Sequence, residues 1–198
     1  MSANTYRAQL AFHVLAATPL AWLIAQIAQG SFGADPVREI THQTGWWALV
    51  FLLASLSMTP VRRLSGQTIW IKFRRPLGLW CFAFASLHLA VFITLDLAYR
   101  WSEIANAIAE QPFVLLGFSA WLLLVPLAVT SNRFMMRKLG RNWQRLHRLA
   151  YVIGALACLH FYSQAKLVAL EALLFAAFFL LLMLLRLPKI ASLFTRSR

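Results

Sequence analysis

The sequence predicts an all-α integral membrane protein, a bundle of six transmembrane helices with cytoplasmic N- and C-termini. Of its 198 residues, 61% are hydrophobic and only 13% are charged, whereas charged residues make up about 25% of a soluble domain. The hydrophobic residues fall into six blocks, most of them near the length that crosses a bilayer as a helix, about 17–25 residues. The basic residues are concentrated in alternate connections between these blocks.

The first three predicted spans are 10–27, 45–58 and 76–95. The first is too long for the apolar part of a cleaved signal peptide, and it contains Pro19. The second is short and is expected to extend by a residue or two at each end. The third starts at Pro76, because proline is well suited to the first turn of a helix.

The last three predicted spans are 112–130, 146–162 and 167–185. Pro112 opens the fourth span and Pro188 follows the sixth, which are the usual positions of proline at helix boundaries. All six spans are assigned as helices, because a lone strand would leave its backbone polar groups without partners in lipid. Since no polar stretch reaches the size of a soluble domain, residues 1–198 are predicted to form a single transmembrane domain.

The charges of the connections predict the orientation of the bundle. Basic residues cluster between spans two and three, between spans four and five, and in the tail, whereas the alternate connections hold most of the carboxylates. The positive-inside rule therefore places both termini in the cytoplasm. The net charge of +13 then reflects membrane topology and contact with lipid, and does not predict nucleic-acid binding. The clustered basic residues are Arg62, Arg63, Lys72, Arg74, Arg75, Arg133, Arg137, Lys138, Arg141, Arg145, Arg186, Lys189, Arg196 and Arg198.

Several kinds of catalytic or binding site lack the residues they would need. The polar stretches around 61–75 and 131–145 are too short for a nucleotide-binding unit, and no Gly-rich phosphate loop occurs. Glu171 is a single carboxylate in its span, which does not predict paired-carboxylate catalysis. Cys81 and Cys158 lie inside apolar blocks and are interpreted as packed small side chains.

Two histidines lie at the same depth on different spans. His88 is twelve residues after Pro76, about 18 Å along an outward-running helix, and His160 is thirteen residues, about 20 Å, beyond His147. Two imidazoles facing each other across a bundle are what a low-spin haem requires as axial ligands. The alternative is that each histidine hydrogen-bonds a neighbouring helix independently.

The other histidines are weaker candidates. His147 lies at the cytoplasmic boundary between two arginines and is a candidate ligand of an inner site. It cannot share one haem with His160, because thirteen helical steps turn the two side chains about 140° apart. His13, near the inner end of the first span, is considered as a partner for His147. His42, in the connection before the second span, is interpreted as a surface or hydrogen-bonding residue.

Four segments resemble a known family: GADPVREITHQTG (33–45), SMTPVRR (57–63), RRPLGLWCFAFASLHL (74–89) and KLGRNWQRLHRLAYVIGALACLHFY (138–162). They are similar to the ferric-reductase-like membrane cytochromes, six-helix proteins with haem between spans three and five. Within that superfamily, the chain resembles the MsrQ (YedZ) family of haem-binding membrane subunits of methionine sulfoxide reductase systems. The similarity extends over nearly the whole chain.

The resemblance implies transmembrane electron transfer in the bacterial inner membrane. Haem b is expected on His88, His147 and His160, electrons would come from the quinone pool, and FMN would be a further cofactor. The acceptor would be MsrP, a periplasmic molybdopterin enzyme that reduces oxidised methionines. The chain would therefore be an electron-transfer subunit that needs a donor and an acceptor rather than a complete enzyme.

One position departs from the superfamily pattern of four histidines and two haems. Arg74 stands fourteen residues before His88, on nearly the same helix face, where the pattern has histidine. One or two haems are therefore expected, and the inner site is left for a flavin or for a haem with another ligand. The FMN phosphate would find its positive charge among Arg74, Arg75, Arg141 and Arg145.

Three other interpretations remain open at this stage. The chain could be the membrane component of a ferric or cupric reductase, or a non-redox membrane assembly protein. A small transporter is less favoured, because the spans lack the buried carboxylates and broken helices typical of that class.

Overall fold

The computed structural model describes residues 3–164 and 169–187, and within these ranges the regular structure is helical, without strands. The prediction of an all-α protein is thereby confirmed. A 3-10 turn, Thr68–Phe73, precedes α3, and a π-helical turn, Phe92–Asp96, follows it. The helices are α1 Ala3–Gln29, α2 Pro36–Ser65, α3 Arg74–Val91, α4 Trp101–Glu110, α5 Pro112–Val129, α6 Arg133–Leu139, α7 Arg141–His147, α8 Leu149–Gln164 and α9 Ala169–Leu184.

Four helical segments among the described residues are long and apolar enough to cross a membrane: Arg7–Gln29, Pro36–Ser65, Thr68–Asp96 and Pro112–Val129. They correspond to the first four predicted spans. The fifth and sixth predicted spans correspond mainly to α8 and α9, which have 16 residues each. Residues 167 and 168 of the sixth predicted span lie outside the described ranges, as do Lys189, Arg196 and Arg198 of the basic tail.

The second span is much longer than predicted, because α2 contains 30 residues. The side chain of Asp35 caps its first turn by accepting a hydrogen bond from the backbone N–H of Arg38 at 3.1 Å, and Pro36 is the first helical residue. Gly66, with φ of 72°, ends the helix in the left-handed conformation. Hydrophobicity marked only the apolar middle of this helix, so His42, expected in a connection, lies within it.

The predicted connections also contain helices. The connection between the third and fourth predicted spans includes the amphipathic α4, whose Ile104 and Ala107 are buried against the bundle. The basic connection around 131–145 folds into α6 and α7, and the side chain of Asn132 caps α6 by accepting from the backbone N–H of Met135 at 2.8 Å. Polar composition predicted these segments as loops, but short helices still form where a cap and a few buried side chains are present.

Two antiparallel helix pairs form the centre of the bundle, α2 with α3 and α5 with α8. In the first pair, the Ser55 hydroxyl donates to the carbonyl of Arg74 at one end, and His88 contacts the carbonyl of Thr41 at the other. The pairs meet around a shared core in which Leu53, Leu56, Phe84 and Ile153 are almost fully buried. Further large apolar side chains are exposed on the outside of the bundle, as expected for contact with lipid: Leu10, Val14, Leu15, Trp22, Leu122, Leu170, Leu174 and Leu180.

A glycine in α8 permits close packing of α9. A Cβ atom at Gly154 would lie 2.5 Å from the ring of Phe179, which is itself buried. Gly154→Ala is therefore expected to lower the free energy of unfolding by about 1–3 kcal/mol through overpacking. The measurement is thermal unfolding of the detergent-solubilised protein.

Gly78→Ala is the matched control, because the nearest atom to its Cβ would be the Ser55 hydroxyl at 3.8 Å, an ordinary contact. If the two variants unfold at the same temperature, the proposed packing of α8 on α9 is wrong.

Candidate functional site

A large cavity lies between the two central helix pairs. Its volume is about 1260 Å³, and it is lined by α2, α3, α5 and α8 together with α4. Its lining includes the polar residues Asp35, Arg38, Glu39, Asp96 and Gln111, but most of the lining residues are apolar. The volume exceeds that of a pocket for an ordinary small ligand, about 300–1,000 Å³. Both His88 and His160 line it.

The His88 ring is fixed by the backbone of α2. Its Nδ1 atom lies 2.9 Å from the carbonyl oxygen of Thr41, and the hydroxyl of Thr44 is 3.4 Å from the same nitrogen. Because a carbonyl can only accept, Nδ1 carries the proton in this hydrogen bond, and Nε2 is the nitrogen with a free lone pair. A backbone carbonyl on the far nitrogen is the usual way in which a ligating histidine is oriented.

The His160 ring is fixed in the same way by α5. Its Nδ1 atom lies 2.7 Å from the carbonyl oxygen of Phe113, which again leaves Nε2 as the free acceptor. In both cases the histidine follows the carbonyl residue by 47 positions. The two helix pairs therefore present their imidazoles through the same local arrangement.

A glycine makes each of these approaches possible. A Cβ atom at Gly45 would lie 3.0 Å from the Nδ1 and Cε1 atoms of His88, and one at Gly117 would lie 2.8 Å from the Cε1 atom of His160. Each glycine stands four residues after the carbonyl that binds the histidine. Any larger residue would push the ring away from that carbonyl, so glycine and carbonyl together form a clamp for one imidazole.

The two clamped rings face each other at a distance suited to one metal between them. Their centroids are 6.0 Å apart and their planes are inclined by 78°. Two metal–imidazole bonds of about 2.0–2.1 Å in line, with the ring radii added, give a separation of about 6 Å. The described residues contain no group of three or more His, Cys, Asp or Glu side chains able to hold a metal ion. A metal between these rings would therefore need its other ligands from a group such as a porphyrin, and the wide cavity and paired imidazoles fit haem.

His147 lies elsewhere and has a different environment. Its ring stacks on Trp143 at a centroid distance of 3.8 Å, its Nδ1 is 3.0 Å from the carbonyl of Trp143, and its Nε2 is 3.5 Å from the hydroxyl of Ser131. The helix is interrupted at Arg148, between α7 and α8, so His147 and His160 belong to separate helical segments. The structure does not bring His147 to the paired rings.

The remaining candidate histidines also have defined positions. His13 lies against Trp80, whose indole N–H donates to its Nδ1 at 3.1 Å, rather than against His147. His42 lines the same cavity as the paired rings, and its ring centroid is 5.9 Å from that of Phe161.

The four candidate flavin-binding arginines all lie at helix starts or in the basic connection. Arg74 and Arg75 open α3, and Arg141 and Arg145 belong to α7, the helix that ends in His147. They lie at the end of the bundle opposite the paired histidines, since the antiparallel packing of α2 on α3 places Arg74 and His88 at opposite ends.

Sequence analysis named Arg186 and Glu171 but did not predict the contacts that they make at the two ends of the bundle. Arg186 donates to the carbonyls of Leu182 and Leu56 and lies over the ring of Tyr151. Near the cavity, the Trp46 indole N–H donates to Glu171. The glycine clamps had one available signal, because in both helix pairs a glycine precedes the ligand-type histidine by 43 positions.

Comparison with known proteins gives consistent matches. A family model described as ferric reductase like transmembrane component matches residues 44–158, a range that includes His88 and His147 and ends just before His160. The protein-methionine-sulfoxide reductase heme-binding subunit MsrQ of Xanthomonas euvesicatoria pv. vesicatoria (strain 85-10) is 49% identical over 181 residues, 88% of this chain and 83% of the relative. The subunit of the same name from Xanthomonas campestris pv. campestris (strain 8004) is 46% identical over 188 residues, 92% of this chain and 86% of the relative. No solved structure matches.

Proposed function

The chain belongs to the ferric reductase like transmembrane family and, within it, to the MsrQ heme-binding subunits, and from this premise we propose that it is a b-type cytochrome of the bacterial inner membrane. It takes electrons from the quinone pool and delivers them to a periplasmic molybdopterin methionine sulfoxide reductase of the MsrP type. It acts as the electron-transfer subunit of that system, and the partner reductase carries out the chemistry on the oxidised methionines.

The observation that carries this proposal is the pair of clamped imidazoles. His88 and His160 come from different helix pairs, their rings are 6.0 Å apart, and each Nδ1 is bound to a backbone carbonyl. Both Nε2 lone pairs are therefore available for one iron. A bound haem supplies an iron that accepts and gives up single electrons. The chain's own contribution is to fix both rings and to surround them with an apolar cavity.

Six spans with both termini in the cytoplasm complete the proposal. In this orientation the cavity lies on the periplasmic side of the bundle, because its lining residues Asp35 and Asp96 belong to the external connections. The partner reductase would then approach the haem through the external connections 28–44, 96–111 and 163–166. The amphipathic α4 lines part of the cavity through Trp101, Ile104 and Ile108, which makes it a candidate contact for the partner.

We also propose a second redox group at the cytoplasmic end. His147 is the candidate ligand, and the group is either a second haem b with another axial ligand or FMN. Arg74, Arg75, Arg141 and Arg145 supply positive charge for the phosphate of a flavin or the propionates of a haem. Five of the six Asp and Glu side chains belong to the external connections, and the sixth, Glu171, is hydrogen-bonded to Trp46. No Asp or Glu side chain therefore competes with a phosphate or propionate for the arginines at the basic end.

The runner-up is a membrane component of a ferric or cupric reductase, because the matched family carries that description. The two proposals differ in the electron acceptor. Oxidation of the reduced cytochrome by a purified periplasmic methionine sulfoxide reductase, but not by ferric or cupric chelates, supports the first proposal. The opposite result supports the second.

Removing either clamped ring is expected to remove the haem between them. His88→Ala and His160→Ala should each lose the low-spin spectrum and most of the content of this haem, because each removes one of the two imidazoles that would hold the iron. The measurement is a dithionite-reduced minus oxidised spectrum with a pyridine haemochrome count per chain.

His42→Ala and Arg74→Ala are the controls, and both should retain the spectrum of this haem. His42 lines the same cavity but lies outside the paired rings, and Arg74 lies at the far end. Full haem content in both His88→Ala and His160→Ala would refute the assignment.

Adding a methyl group at the glycine of a clamp is expected to change the electron paramagnetic resonance spectrum of the haem while the histidine ligand remains. In Gly117→Ala the new Cβ lies 2.8 Å from the His160 ring, so the ring must turn or shift by a few tenths of an ångström. We expect altered g values in the low-spin electron paramagnetic resonance spectrum, with His160 still present. Gly78→Ala, whose Cβ meets only the Ser55 hydroxyl at 3.8 Å, should leave that spectrum unchanged. Identical spectra for the two variants would show that the glycine does not position the ring.

A further inference from the structure

We propose that His13, held by Trp80 on the lipid-facing side of the bundle, binds the head group of a membrane quinol through its Nε2–H. This inference rests on the proposed function, since the electrons of that quinol are taken to pass to the haem between His88 and His160. It assigns the donor site to residues that the haem site does not use.

The protonation of the His13 ring follows from its contact with Trp80. The indole N–H of Trp80 donates to Nδ1 of His13 at 3.1 Å, and an indole can only donate. Nδ1 is therefore the unprotonated nitrogen of the neutral ring, and the proton is on Nε2. In the part of the chain that the structure describes, Nε2–H of His13 has no acceptor. Trp80 thus makes the exposed His13 ring a hydrogen-bond donor through Nε2.

The surroundings of His13 restrict what can accept this hydrogen bond. The residue is exposed and lies three positions inside the first predicted span, among Leu10, Val14 and Leu15, which are 54%, 61% and 68% exposed. Such a surface is typical of contact with lipid near the inner boundary of the first predicted span, where an unpaired N–H is unfavourable. A lipid-soluble molecule that carries an oxygen atom can reach this position along the membrane and accept the hydrogen bond.

Aromatic rings beside His13 favour a flat molecule over a lipid ester. The His13 ring is 6.4 Å from the ring of Trp80 and 5.5 Å, edge to face, from the ring of Phe12. Phe12 in turn contacts Phe73 at 5.3 Å. Flat rings pack well against aromatic neighbours in offset or edge-to-face arrangements, so a quinol matches both the donor and the surface around it.

A series of aromatic side chains also leads from the position of His13 toward the proposed haem. Trp80, Phe84 and His88 follow one another at intervals of four residues, on one face of α3. The ring of Phe51 lies 6.1 Å from that of Trp80 and 5.4 Å from that of Phe84. The eight residues from Trp80 to His88 span about 12 Å along the helix. Aromatic side chains therefore lie between the proposed quinol position at His13 and the candidate haem ligand His88.

The reaction at His13 is the two-electron oxidation of a quinol. One quinol becomes one quinone by losing two electrons and the two protons of its hydroxyl groups. A haem held by His88 and His160 would accept these electrons one at a time and supply them to the partner reductase, where the sulfoxide is the final oxidant. The protons pass to water at this end of the bundle. His13 holds a ring oxygen by its Nε2–H and takes no part in the electron balance.

The experiment compares two reductants on the haem-loaded, full-length protein in phospholipid nanodiscs. Dithionite reduction reports whether haem is bound, and stopped-flow reduction by decylubiquinol reports whether the quinol site works. We expect His13→Ala to keep the haem content and the dithionite spectrum, while reduction by the quinol slows about tenfold, the effect of one lost hydrogen bond. His13→Gln, which restores an N–H donor, should recover part of the rate.

Val14→Ala is the matched control, because Val14 is the neighbouring lipid-exposed residue of α1, and it should be reduced at the rate of the unaltered protein. If His13→Ala is also reduced at that rate, His13 is only a lipid contact and the inference is overturned, while the proposed function stands. If decylubiquinol fails to reduce even the unaltered protein, the quinone pool as donor is overturned together with this site. Loss of haem in the dithionite spectrum of His13→Ala would show a structural role instead.

Discussion

The structure depends on one constraint, the need of a buried imidazole N–H for an acceptor inside an apolar bundle. Helix carbonyls provide it, because each already accepts from the residue four positions later and still has a second lone pair. Thr41 and Phe113 supply these carbonyls, and they are accessible only because Gly45 and Gly117 carry no side chain. At the cavity end of the bundle, the position of α3 on α2, and of α8 on α5, is therefore fixed by a polar contact.

Much of the helical architecture could be predicted from the sequence, because hydrophobic runs mark the parts of a chain that lie in hydrocarbon. Counting residues from Pro76 and from His147 was enough to place His88 and His160 at one depth. Their facing orientation and the glycine clamps could not be predicted, since they depend on how each helix is rotated against its neighbour. The polar ends of α2 were also not predicted. Asp35 and Gly66 end this helix by capping, and hydrophobicity does not report on caps.

The two ends of the bundle are chemically distinct, and both depend on polar contacts to helix backbones. At the cavity end, imidazoles donate to carbonyls within helices. At the basic end, Arg186 donates to carbonyls of α9 and α2, and Arg63 donates to the carbonyl of Leu185. Arginines that the positive-inside rule explains by topology thus also join the ends of helices. Because these arginines serve both membrane topology and contacts between helix ends, composition alone could not assign them to a cofactor.

The two clamps repeat at a fixed interval, because Thr41, Gly45 and His88 are each followed by their counterpart 72 residues later, at Phe113, Gly117 and His160. Each helix pair therefore holds half of the site, and the carbonyl, glycine and histidine of each clamp all belong to one pair. A ligand shared by both rings would add its binding free energy to the association of the two halves, and not to the folding of either one.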